Sequence, residues 1–486
     1  MWILLACYAA VILFFVIRGA RKTTDISDYA IGNMGFSPWV VGLSLAASMT
    51  SAATFIINPG FIALYGISGV ISVGIVFPAA ALISLVVFTK GFARYGSKVN
   101  ATTMAQWIGK RYNSKNYALF FGVIALLLIT FIVLINVGIT QVIAKSLNAD
   151  PFYVLLGITV FVFGYMMFGG ANSMVYTNTV QAMIMFVVAL ILIGSGGEYF
   201  EGGIQGFFKK LNAIDPHLTQ STNETSFLFR DYFEIIFAQI VIGIAVVCQP
   251  HIITKSLLLK DSRKINTYLF SGIACMVVFF LVVIAGLYAR ISFPDLTVNG
   301  QPLKMDEIIP TYVIARFSVG VGMIIVIGLI SAGLSTLESL IQSLSITVTS
   351  DILNPLFKDK LKSRSIIINK SVILVLAVVS FILSWQQIKN PDVSVAIFAQ
   401  NGVYAYFAAA FVPVLFGMFL KEVPTRAVFL ASITAIVVHF GIYYGTITPY
   451  MQEKVNNPGI SAAIAIVLSL VVGIVFYISR PKTQAT

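Results

Sequence analysis

Three apolar stretches of this chain carry small and hydroxyl-bearing residues where plain aliphatic sequence would be the default. The first reads Gly42-Leu43-Ser44-Leu45-Ala46-Ala47-Ser48-Met49-Thr50-Ser51-Ala52-Ala53-Thr54 and then meets Pro59-Gly60. The second runs into Gln249-Pro250-His251. The third reads Ser331-Ala332-Gly333-Leu334-Ser335-Thr336-Leu337-Glu338-Ser339. Small residues alone permit close helix packing in a membrane. Three such runs, one with a carboxylate and no basic neighbour, point further, to a polar site at depth. A charge there is expensive, so Glu338 should face a cavity, a cation or a hydrogen-bond partner. Helices interrupted at mid-membrane also expose carbonyl oxygens to ions. Other chemistry finds no support. The three cysteines (Cys7, Cys248, Cys275) and three histidines are scattered, without disulfide or metal spacing. No nucleophile–base arrangement is present, and His251, alone at a helix end, reads as structural. Catalytic residues are therefore none, and an enzyme is not expected.

These runs need elements to hold them. Of 486 residues, 58% are hydrophobic and 10% charged, and the mean hydropathy is +0.93. A soluble globular chain has about 25% charged residues, and a disordered one lacks apolar residues. Thirteen apolar segments near 2–17, 37–65, 69–89, 117–144, 152–168, 174–195, 232–254, 266–289, 312–349, 367–386, 394–420, 426–445 and 459–479 have about the length that crosses a bilayer core. The formal charge of +12 reads as topology signal rather than nucleic-acid binding. Alternate loops hold 22 of the 31 Lys+Arg, among them Arg18, Lys98, Arg111, Lys255, Lys260, Lys358, Lys360 and Lys482. The positive-inside rule then places the N-terminus outside and the C-terminus in the cytoplasm. The long outer loops are 196–231 and 290–311, and the first holds the sequon Asn223-Glu224-Thr225. Residues 2–17 lack a basic leader, so they read as a first membrane helix rather than a signal peptide.

At this point the chain resembles the sodium:solute symporter family. The resemblance covers nearly the whole length. It rests on Asp28-Tyr29-Ala30-Ile31-Gly32, Gly42 through Pro59-Gly60, Gly169-Gly170 with Val175 to Gln181, Gln249-Pro250-His251-Ile252-Ile253, Ala332 to Thr336, and Phe416-Gly417-Met418-Phe419. It implies an all-α membrane protein of about 13 transmembrane helices with a leucine-transporter-like 5+5 inverted-repeat core. Residues 1–36 would then be a first helix and cytoplasmic loop. Residues 37–420 would be the core, with repeats of about 37–195 and 232–420. Residues 421–486 would supply two further helices and a short cytoplasmic tail. The implied sodium site uses carbonyls of Ala47, Thr50 and Ala332 and the hydroxyls of Ser335 and Thr336. Sodium is a hard cation, and such oxygens hold it weakly enough to let it go. Ala332, Ser335 and Thr336 fall on one helical face. A second sodium site, where relatives have one, matches Asn178, Glu338 and Ser339. Here Asn stands where the family's acid belongs and Glu where a serine belongs, so a second cation or proton site with the carboxylate moved across one cavity is expected.

By the same analogy the solute meets Ser51, Thr54, Gln249, Pro250, His251, Gln400 and Asn401. The facing stretch Ser72-Val73-Gly74-Ile75-Val76 is largely apolar, and sugar hydroxyls buried against it would go unpaired. Gln400, however, matches a sugar-binding glutamine. The Gln-Pro-His turn resembles the proline, pantothenate and small-carboxylate branch. The implied function is a sodium-coupled symporter in a plasma membrane, a bacterial inner membrane by its compact loops, carrying a small organic acid or amino acid. A sugar symporter and a proton-coupled carrier using Glu338 are the alternatives. Sodium, the solute and lipid are the expected partners; nucleic acid and an obligate protein partner are not.

Overall fold

In lipid every backbone polar group must be satisfied internally, so a chain this apolar crosses as helices. The computed structural model describes residues 2–259, 261–298, 300–357, 362–390, 395–451 and 455–480. Lys260, Lys358, Lys360, Lys482 and the tail residues 481–486 lie outside the described residues. Ten helices are long and apolar enough to span a bilayer, and two helix pairs, bent by 56° and 61°, pass the same test. One of the ten contains Pro151–Gly194, 44 residues. At 1.5 Å per residue it would be about 66 Å long, roughly twice a bilayer core. Gly170 breaks it with φ 60° and ψ −160°, which makes two crossings of one helix. The described residues therefore form thirteen crossings, as the hydropathy pattern expects. The only strands described are a two-residue hairpin, Thr297–Val298 with Gln301–Pro302, in the loop after Ala285–Ser292.

Gly170 occupies a backbone region essentially closed to residues with a Cβ. A Cβ there would also lie 2.7 Å from the ring of Tyr29 and 2.9 Å from its Cα. Tyr29 is fixed in turn, donating its hydroxyl to the Met166 carbonyl at 2.7 Å.

The two bent crossings have different causes. Pro38–Met49 stops at Thr50 and the chain resumes as Ala53–Tyr65. No proline lies at that break; small residues and hydroxyls there offer local alternatives to the helical ladder. Phe233–Cys248 stops at Gln249, which is extended (φ −72°, ψ 134°). Pro250 then begins Pro250–Ile253, since proline lacks an N–H and suits a first helical turn. The third polar run is not broken. Val319–Thr347 is a continuous helix through Ser331 and Ser339, and its expected first residues belong to a separate helix, Ile308–Arg316.

Around these, close approach is built on glycine. Helix Pro38–Met49 packs against Ile265–Leu281, Pro151–Gly194 and Val319–Thr347. A Cβ on Gly42 would collide with Ser271 and the Tyr268 carbonyl of the facing helix. Two features of the sequence prove to be buried. The sequon residue Asn223 is buried; it donates to the Tyr65 carbonyl at 3.2 Å and accepts from the Thr225 hydroxyl at 2.6 Å. Lys255, counted with the loop cations, is a buried residue at 3% exposure. All three cysteines are free.

Replacing Gly170 by Ala is expected to cost about 1–3 kcal/mol of backbone strain. Its melting temperature in detergent should fall by several degrees. Gly164→Ala, which meets nothing within 4 Å, should leave it unchanged; equal melting of the two variants would refute the strain assignment.

Candidate functional site

The first break frees carbonyls that a continuous helix would use. The Thr50 N–H donates to Ala46 O at 3.1 Å, and the Thr50 hydroxyl returns to the same oxygen at 2.6 Å. The next two carbonyls are met from another crossing. Ser335 donates its hydroxyl to Ala47 O at 2.7 Å, and Thr336 donates to Ser48 O at 3.2 Å. Both hydroxyls also reach the Ala332 carbonyl, at 3.2 and 3.4 Å. All these groups are buried. Five oxygens from two helices thus converge: the Ala47, Ser48 and Ala332 carbonyls with the Ser335 and Thr336 hydroxyls. The oxygen set fits a hard monovalent cation, because each hydroxyl can turn its proton away and present a lone pair. Thr50 caps the same break with its hydroxyl bonded back within its own helix, and its carbonyl, the ligand expected from the resemblance, is not one of the oxygens that Ser335 and Thr336 reach. Ser48, not singled out in the sequence, contributes the second helix-end carbonyl.

Beside this cage lies a polar cluster. Ser48 Oγ lies 2.8 Å from Ser339 Oγ, and Asn178 Nδ2 donates to both, at 2.9 and 3.2 Å. Ser339 donates no bond to Glu338; its own backbone-directed bond goes to Ser335 O at 2.8 Å. Glu338 points elsewhere. Its Oε1 accepts from the Tyr165 hydroxyl at 2.6 Å and from Gln181 Nε2 at 2.9 Å, and its Oε2 accepts from the Thr177 hydroxyl at 2.6 Å. The expected grouping of Glu338 with Asn178 in one cavity is therefore replaced by two adjoining pockets. The reason is helical geometry: neighbours 338 and 339 point about 100° apart. Two buried oxygens, Asn178 Oδ1 and Gln181 Oε1, have no hydrogen-bond donor.

A cavity of about 150 Å³ lies between the two breaks. Ser51, Thr54, Gln249, His251 and Gln400 line it, as the sequence suggested. Pro250 does not; it shapes the break that presents Gln249 and His251. Asn401 faces the other way, its amide donating to the Tyr444 hydroxyl at 3.0 Å and its oxygen 3.0 Å from His439 Nε2. Asn58, Gln239 and Tyr404 also line the cavity and were missed. Tyr404 follows Gln400 by one helical turn, which is the signal that would have found it. The walls are otherwise apolar, with Phe61, Phe77, Phe131, Phe229 and Phe280. No Asp, Glu, Lys or Arg lines it among the described residues. Gln249 Oε1 and His251 Nδ1, both buried, have no partner. A second, smaller cavity is lined by Thr102, Thr103, Thr254, Lys255 and Gln342. His251 borders both, so the second break forms part of the wall between them. Lys255, one helical turn after His251, donates to Ser44 Oγ at 2.9 Å and to Ser44 O at 3.3 Å.

Known proteins resemble this arrangement along the whole chain. The profile of the "Sodium:solute symporter family" matches residues 29–435. A sodium/pantothenate symporter of Haemophilus influenzae is 28% identical over 70% of this chain and 69% of its own. That of Escherichia coli is 24% identical over 98% and 97%. A high-affinity proline transporter of Bacillus subtilis is 26% identical over 83% of each. Among solved structures, a substrate-bound, outward-open Na+-coupled sialic acid symporter superposes with TM-score 0.79 at 17% identity, over 100% of this chain and 99% of that one. That likeness establishes the fold of the thirteen crossings. The chain belongs to the sodium:solute symporter family, as a multi-pass membrane transporter of a small solute rather than an enzyme.

Proposed function

We propose that this protein is a sodium-coupled importer of a small organic acid or amino acid that works by alternating access. The observation that carries the reading is the convergence of two helix-end carbonyls with the Ser335 and Thr336 hydroxyls. Carbonyls freed by a break need a donor or a cation, and a cation that satisfies them joins two helices. Sodium bound between them would favour the state in which solute also binds, which is the thermodynamic meaning of coupling. The five-crossing halves, about 37–195 and 232–420, are proposed as inverted repeats. In support, each half begins with one of the two bent crossings. The loop charges favour an N-terminus outside, a C-terminus in the cytoplasm and a plasma membrane, that of a bacterium.

The cavity supports the solute class. Its polar groups are few and uncharged, set among five phenylalanines. Such walls would leave several hydroxyls of a sugar unpaired, which is costly. A compact solute with one amide or carboxylate end fits better, with the charge balanced by sodium. The pantothenate and proline relatives agree with that class.

We also propose a second cation or proton site around Asn178, Ser339 and Glu338. The unpaired oxygens of Asn178 and Gln181 support a cation there. The three donors around Glu338 suit a carboxylate, which accepts only.

The central test is thermal unfolding in sodium against choline at equal ionic strength. Wild type should be stabilised by sodium. Ser335→Ala should raise the half-saturating sodium concentration about tenfold or more, equivalent to about 1.4 kcal/mol. No sodium response in wild type would end the sodium reading. In the same format, a panel of carboxylates, amino acids, vitamins and sugars should show an acid or amino acid stabilising only when sodium is present. Gln249→Leu should remove that stabilisation while keeping the sodium response, and a sugar as the sole hit would overturn the solute class. For the second site, Glu338→Gln in proteoliposomes should alter the ion:solute ratio or the pH dependence of uptake. Both unchanged would make Glu338 purely structural.

A further inference from the structure

Lys255 is the only buried Lys or Arg among the described residues, and no carboxylate lies within ion-pair distance of it there. An ammonium in a membrane protein's interior without a counter-ion is expensive to keep. Among the described residues, its hydrogen-bond partners are the two oxygens of Ser44. The position of Ser44 is the informative point. It lies one helical turn before Ala47 and Ser48 in Pro38–Met49, on the helix whose end forms the oxygen cage. Ser44 O also accepts from Ser48 Oγ at 2.8 Å. Along the helix, Ser44 and the cage are about 5 Å apart. A lysine stem of four methylenes, with free rotation, spans that distance.

The chemistry of the two positions matches. The cage consists of carbonyls and hydroxyls, all able to accept. An ammonium has three donors and no acceptor. It carries the same single charge as sodium. Two such charges repel at this range, so the cage takes one or the other. Lys255 also lines the small cavity on the far side of His251 from the main one. A cation leaving the cage toward that cavity would pass beside it.

We propose that Lys255 is a tethered cation that competes with sodium for the oxygens of Ala47, Ser48 and Ala332. This rests on the sodium reading of the cage. With sodium bound, the ammonium is held back at Ser44. When sodium leaves, the ammonium advances one turn and satisfies the freed carbonyls. The empty carrier then keeps the two helices joined during its return. No covalent step or external reactant is involved.

The test is a sodium titration of the purified full-length protein, read by thermal unfolding at constant ionic strength. Competition lowers the fraction of carrier able to take sodium, and apparent affinity scales with that fraction. Lys255→Met should therefore bind sodium more tightly, about fivefold or more if the ammonium holds most empty cages. Ser44→Ala removes one of the resting acceptors and should act in the opposite direction, weakening sodium binding. It also keeps the proposal falsifiable should Lys255→Met not fold. In proteoliposomes, Lys255→Met should retain solute exchange with sodium on both sides but lose net uptake, since only the empty return uses the ammonium. Sodium half-saturation unchanged in both variants, or weaker in Lys255→Met, would overturn the proposal while leaving sodium coupling intact. A wild type indifferent to sodium would instead remove the reading on which it rests.

Discussion

A bilayer does not tolerate unsatisfied carbonyls, and the interrupted helix at Thr50 creates them. The rest of the functional architecture is arranged around that constraint. Ala47 and Ser48 lose their place in a backbone ladder, and the ninth crossing supplies hydroxyl protons instead. Those hydroxyls stand on an unbroken helix, Val319–Thr347. One partner is thus rigid and the other divided. The cost of exposing carbonyls at depth is what would give the proposed cation in their midst leverage over the relation between two helices. Gly42, facing Ser271 without room for a methyl group, holds the first half of the broken helix tightly against a neighbour.

The distribution of charge follows from the same constraint. The main cavity is walled by phenylalanines, amides and hydroxyls without a formal charge among the described residues. Two of the buried ionisable groups, Glu338 and Lys255, stand outside it. Glu338 is enclosed by donors and Lys255 by acceptors. Each is satisfied by neutral groups rather than by a salt bridge. A cation entering the cage therefore changes the local charge rather than joining an already closed pair. The second break acts at a different level: His251 borders both cavities, so movement around Gln249 would alter the wall that separates them.

The family's features recur here with local differences. Asn178 is drawn to Ser48 and Ser339, and the carboxylate one residue earlier on the ninth crossing turns to Tyr165, Thr177 and Gln181. Two polar pockets stand where one was anticipated. The distinction matters chemically. The Asn178 pocket shares Ser48 with the cage, whereas the Glu338 pocket reaches it only through the helix that both residues occupy.

How much of this was legible before folding depends on whether the signal was local. Thirteen crossings followed from hydropathy, because an apolar run of sufficient length has few other fates. Pro250 announced its break, since proline cannot donate within a helix. The spacing of Ala332, Ser335 and Thr336 put them on one face, because helical periodicity is a property of the chain itself. The residues they would meet were not local facts. The meeting of Ser48 O with the Thr336 hydroxyl, the rotation of Asn401 toward His439, and the arrival of Asn58, Gln239 and Tyr404 in the cavity depend on how separate helices are rotated against one another. Lys255 is the clearest case. Its sequence neighbours place it with the loop cations, and only the close packing of two distant crossings buries it against Ser44. Sequence determined which segments enter the membrane and which faces are polar; tertiary packing decided which polar faces meet, because those distances join residues hundreds of positions apart.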